Sequence, residues 1–120
     1  MDKADNKGIG RIIRAFGHSM RGIKDSFKTE AAFRQESFLC GVLLILVFVV
    51  DATATQKALL IFSIFFVLVT EIVNTAIEAL ADRISTEKHH LLGKAKDAGS
   101  AAVFLSLVNL VAVWCIVLLG

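Results

Sequence analysis

The chain has 120 residues, 56% of them hydrophobic, and a mean hydropathy of +0.71, more apolar than a water-soluble domain of this size. A soluble globular monomer is thereby excluded, and a net charge of +2 from 13 basic and 11 acidic residues offers no broad basic field for nucleic acid. Eight of the 13 basic residues precede position 37, four lie between Asp82 and Asp97, and Lys57 stands alone between these groups.

Near the N-terminus, Ile9, Ile12, Ile13, Phe16, Met20, Ile23 and Phe27 recur at spacings of three and four, with Arg11, Arg14, Arg21 and Lys24 among them. This period predicts an amphipathic helix over about 8–29. No other water-soluble core exists for it to pack on, so it is expected to lie in the headgroup plane with its basic residues toward anionic lipid. Gly17 and Gly22 weaken the helix and offer places to bend. No uninterrupted apolar region followed by a small-residue cleavage site appears in the first 30 residues, so no cleaved leader is expected.

Three apolar blocks follow. Phe38 to Val50 is apolar or Gly throughout, Ala58 to Ala81 is apolar except for Ser63, Thr70, Glu71, Asn74, Thr75 and Glu78, and Ala98 to Gly120 carries no charge. A helix needs about 20 residues to cross the hydrocarbon core, so spans are predicted at about 31–50, 58–81 and 98–119, with a loop at 82–97. The architecture expected is an all-α membrane protein, one domain over 1–120. The N-terminus and loop 82–97 carry 12 of the 13 basic residues, which places them in the cytoplasm and the C-terminus outside.

Cys40 and Cys115 fall at opposite depths of their spans, too far apart for a disulfide within one chain, and both are expected to be buried apolar residues. The carboxylates of the second span are more telling. At about 100° per residue, Asn74 falls roughly 60° from Glu71, and Glu78 about 20° from it, so one helix face carries two acids and a carboxamide. An ionised group at membrane depth is costly and must be protonated, paired or bound to a cation; the one basic residue within a predicted span, Arg34, sits at the polar end of the first. Helix-to-helix glue explains a lone Asn but not two acids, which points to function at Glu71, Asn74 and Glu78. Three spans from one chain are expected to leave this face open to lipid unless a second copy covers it, so a symmetric oligomer with shared sites is predicted.

There is no G-x-x-x-x-G-K-[ST], H-R-D or D-F-G motif, which excludes a P-loop or protein-kinase site. Glu87, His89 and His90 lack a second ligand cluster and read as a solvated loop rather than a metal site. Asn109 in the third span reads as an interhelical hydrogen bond.

Three segments, Glu30-Ala31-Ala32-Phe33-Arg34-Gln35-Glu36, Glu71-Ile72-Val73-Asn74-Thr75-Ala76-Ile77-Glu78 and Ala95-Lys96-Asp97-Ala98-Gly99-Ser100-Ala101-Ala102, resemble the signature of the bacterial integral-membrane diacylglycerol kinases, in the same order and over nearly the whole chain. The resemblance implies a homotrimer of the bacterial cytoplasmic membrane that uses MgATP to convert diacylglycerol to phosphatidic acid. It implies Glu71 as the base for the lipid hydroxyl with Asn74 beside it, and Glu30 and Glu78 as holders of Mg2+. It further implies nucleotide contacts from Arg11, His18, Glu30, Glu78, Glu87, His89, Lys96 and Asp97. Lipid contacts are implied for Arg11, Ala15, Ser19, Arg34, Glu71, Ser100 and Trp114. Small residues from Gly99 to Ala102 would permit close helix approach. The sequence departs from the family pattern at His18 and Met20, where Tyr and Trp are expected. An undecaprenol kinase on a related scaffold is the alternative substrate reading, and a small proton- or cation-conducting oligomer is the alternative of another class; the latter leaves Glu30, Lys96 and Asp97 without a role.

Overall fold

The computed structural model describes residues 8–84 and 90–120. Four helices follow in order: α1 Gly8–Thr29, α2 Ala31–Val49, α3 Ala54–Ile84 and α4 His90–Leu119. The all-α architecture expected from sequence is the one observed, and α2, α3 and α4 are each long and apolar enough to cross a membrane.

The amphipathic period of α1 yields one continuous helix through Gly17 and Gly22. Its apolar residues Ile9, Ile12, Ile13 and Phe16 are exposed, whereas Ser26 near its C-terminal end is buried. An uncovered stripe of this kind suits the boundary between headgroups and acyl chains.

The corner between α1 and α2 is closed by Arg34. Its Nη1 donates to Phe27 O and Lys28 O, each at 2.9 Å, filling carbonyls that the end of α1 leaves without intrahelical partners. Glu30 is the single residue between the helices, with extended backbone at φ −111° and ψ 109° and no side-chain capping bond, so its carboxylate remains available for other chemistry.

Helix α2 buries Phe33, Cys40 and Val47, spaced seven apart, the repeat that keeps one seam facing a partner helix. The turn to α3 is a capping box: Gln56 N donates to Thr53 Oγ1 at 3.1 Å and Thr53 N donates to Gln56 Oε1 at 2.9 Å. Helix α3 buries Leu60, Ser63, Ile64, Val67, Glu71 and Ala81 along the corresponding seam and packs most extensively on α4.

The α3–α4 seam combines apolar packing with small hydroxyls. Cys40, Val47, Leu60, Ile64, Val67, Leu110 and Trp114 form the core. Trp114 Nε1 donates to Ser63 Oγ at 3.2 Å, and Thr70 Oγ1 donates to Ser106 Oγ at 2.9 Å. Between apolar helices in lipid such bonds average about 0.6 kcal/mol each, so their value lies in fixing register as much as in adding stability.

The structure corrects three expectations. The segment 82–97 is not one loop: α3 continues to Ile84 and α4 begins at His90, because helix hydrogen bonding need not stop where the apolar stretch stops and no Pro interrupts it. Cys40 is buried, but Cys115 is exposed on the outside of the bundle, a place where lipid tails suit a small apolar residue. Within the apolar stretch of α4, the interhelical hydrogen bonds among the described residues come from Ser106 and Trp114 rather than Asn109.

Candidate functional site

Glu71 is only 6% exposed within a single chain. The expectation that its face lies open to lipid until a second copy covers it is therefore wrong for this residue, because the chain itself buries it, with Glu36 of α2 beside it. Helix α2 places the Glu36 carboxyl beside the Glu71 carboxyl, so two acids from different helices share the seam. Glu36 escaped the sequence reading as a site residue. Its signal was present nonetheless, since it lies three residues after Phe33 and four before Cys40 and so belongs to the buried seam.

One turn further along α3, Asn74 Nδ2 donates to Glu78 Oε1 at 3.0 Å. The carboxamide Oδ1 is buried without a hydrogen-bond partner. Gly99 on α4 stands against it: a Cβ built there would lie 2.3 Å from Asn74 Oδ1. The next turn brings Asp82, whose Oδ1 is 2.6 Å from Lys96 Nζ. Lys96 precedes the apolar stretch of α4, and the hydrogen bond and charge of Asp82 raise its ammonium pKa above the usual value. The face predicted from spacing is thus real, and α4 adds Lys96 to it through Asp82.

The remaining predicted residues are more dispersed. Ser19 Oγ donates to Ala15 O at 2.9 Å and His18 Nδ1 pairs with Arg21, so both are engaged within α1. Arg11, Ala15, Asp97 and Ser100 are exposed. Arg34 caps α1, and Trp114 is buried against Ser63, eight residues and about 12 Å along α3 from Glu71. Glu87 and His89 lie outside the described residues.

Among the described residues no three metal-ligating side chains converge. A magnesium ion that arrives on a nucleotide keeps most of its oxygens from phosphate and water and needs one or two protein carboxylates; the unused carboxylate of Glu30 and the half-buried carboxylate of Glu78 are chemically suited to that demand.

These features define a small multi-span membrane protein with a line of acids running along one helix from the buried seam to a cationic end. Residues 17–118 match the model of the family described as prokaryotic diacylglycerol kinase. The chain is 44% identical to the diacylglycerol kinase of Escherichia coli (strain K12) over 92% of its length and 91% of the relative's. It is 42% identical to that of Pseudomonas aeruginosa strain PAO1, covering 94% and 92%, and 34% identical to that of Helicobacter pylori strain 26695, covering 90% and 84%. The chain belongs to the prokaryotic diacylglycerol kinase family. It is accordingly a membrane kinase whose chemistry is phosphoryl transfer, and the ion-conductor reading falls away.

Proposed function

We propose that this kinase transfers the γ-phosphoryl group of ATP to the free hydroxyl of diacylglycerol, giving phosphatidic acid and ADP at the cytoplasmic face of the bacterial inner membrane. The observation that carries this reading is the course of the α3 face. It starts at Glu71, buried among apolar helices, and passes Asn74 and Glu78 to reach the Asp82–Lys96 pair. An acceptor that lives in lipid and a donor that lives in water meet along such a line.

In the transfer, the lipid hydroxyl oxygen bonds to the γ-phosphorus as the bond to the ADP oxygen breaks, and the hydroxyl proton passes to the Glu71 carboxylate. Asn74 orients the acids around it. Lys96 meets phosphate charge, with Asp97 beside it in sequence. Glu30 and Glu78 are the residues that would hold Mg2+ arriving with ATP, and the ion would supply positive charge against the phosphate oxygens. The segment 51–57, with Lys57 as its one basic residue, and the C-terminus face outward, in keeping with the distribution of basic residues.

Large apolar residues such as Phe38, Phe48, Phe62 and Phe104 are exposed on the bundle, which suits both lipid tails and a homotrimer. The test of the activity is ADP release by the purified protein in mixed micelles containing ATP, magnesium and diacylglycerol. Release that requires diacylglycerol supports the assignment. ATP turnover indifferent to that lipid, or a strong preference for undecaprenol, overturns it.

A further inference from the structure

We propose that Gly99 is a positioning residue for the reaction: the missing side chain is what allows the Asn74 carboxamide to hold the orientation in which it donates to Glu78. The inference rests on the assignment of the Glu71, Asn74 and Glu78 face as the reaction site.

Gly99 is buried in the α3–α4 seam. A Cβ at this position would stand 2.3 Å from Asn74 Oδ1 and 3.3 Å from Asn74 Cγ, with Ile77 Cδ1 at an ordinary 3.5 Å. The severe overlap is therefore with one side chain and not with the backbone of α3. An Asn side chain turns about two bonds, so the cheapest response to an added methyl group is rotation of the carboxamide rather than separation of the helices. Rotation carries Nδ2 away from Glu78 Oε1, now 3.0 Å distant, and Glu78 loses that donor. The buried Asn74 Oδ1, which has no hydrogen-bond partner, offers nothing else to lock the amide; contact with the bare Gly99 backbone sets its orientation.

Backbone conformation does not call for the glycine. Its φ is not in the left-handed region, unlike that of Gly8, and Gly in a helix interior weakens the helix relative to Ala. Gly93 on the same helix is the control, since a Cβ there meets nothing within 4 Å.

The experiment is a double-mutant cycle on the full chain, read as kcat and lipid KM in mixed micelles. Gly99→Ala is expected to lower kcat roughly tenfold to a hundredfold with little change in lipid KM, while Gly93→Ala keeps the parent rate. Asn74→Ala removes the clashing atoms, so Asn74→Ala/Gly99→Ala is expected to match Asn74→Ala alone. That equality decides the matter even if the single Gly99→Ala chain does not fold. A further loss in the double variant, or a normal kcat for Gly99→Ala beside an impaired Asn74→Ala, overturns the role of Gly99 and leaves the site assignment standing. A normal rate for Asn74→Ala overturns both.

Discussion

The two ends of the α3–α4 pair treat polar groups differently. At the end near the α2–α3 turn, Trp114 donates to Ser63, which donates to Leu60 O at 2.7 Å; in midspan, Thr70 donates to Ser106, which donates to Val103 O at 2.6 Å. At the other end, Asn74 Oδ1 and Glu36 Oε2 are buried with no hydrogen-bond partner, and two carboxyls face each other. Polar residues that only join helices have complete hydrogen bonding. Those at the acidic end carry surplus acceptors, an arrangement that costs stability and leaves groups ready to engage a proton or a cation.

This contrast ranks the expected effects of substitution. Glu71→Gln keeps the shape of the side chain but removes its basicity, so kcat should fall about 10²–10⁴-fold with little change in thermal stability; near-normal turnover would move the base to another group. Glu78→Gln and Glu30→Gln should raise the MgATP concentration needed for half-maximal rate by roughly 10–100-fold, read from magnesium titrations at fixed lipid. At the satisfied end the order reverses: Thr70→Val and Ser63→Ala should each lower stability in detergent by about 0.6 kcal/mol while leaving kcat within about twofold of the parent. A large loss of turnover in Thr70→Val would show that the two ends do not divide labour in this way.

Subunit sharing can be probed through the same acids. Burial of Glu71 by its own chain removes the argument that lipid exposure forces a second copy onto the face, so sharing now turns on Glu30. Glu71→Gln and Glu30→Gln chains co-assembled in one oligomer, assayed at a MgATP concentration too low for Glu30→Gln alone, should recover partial activity if the two residues act across subunits. Verified mixed oligomers with no recovery would place both in one chain's site.

The spans, the surface helix and the acidic face were legible because each follows from spacing along one helix: the charge-free blocks, the three-and-four repeat of Ile and Phe in α1, and the near-coincidence of Glu71 and Glu78 around α3. What stayed hidden depends on which helix comes opposite. Glu36 had the heptad register of Phe33 and Cys40, yet nothing in spacing says that this seam meets Glu71. Arg34, implied as a lipid contact by the resemblance, also binds carbonyls of the preceding helix, a partnership that exists only once the chain turns at Glu30. The approach of Gly99 to Asn74 likewise needs two helices in a known register.

Helix lengths carry a further consequence. At about 1.5 Å per residue, the 19 residues of α2 span about 28 Å, close to the roughly 30 Å of a hydrocarbon core. The 31 residues of α3 extend about 46 Å. The short helix fixes the bundle in the membrane, and the long one protrudes from it by about three turns. In a thicker bilayer the acyl region climbs toward Asn74 and Glu78, and in a thinner one water descends toward Glu71. With the reaction placed on this face as proposed, the acyl length of the host lipid is expected to control turnover separately from the lipid consumed.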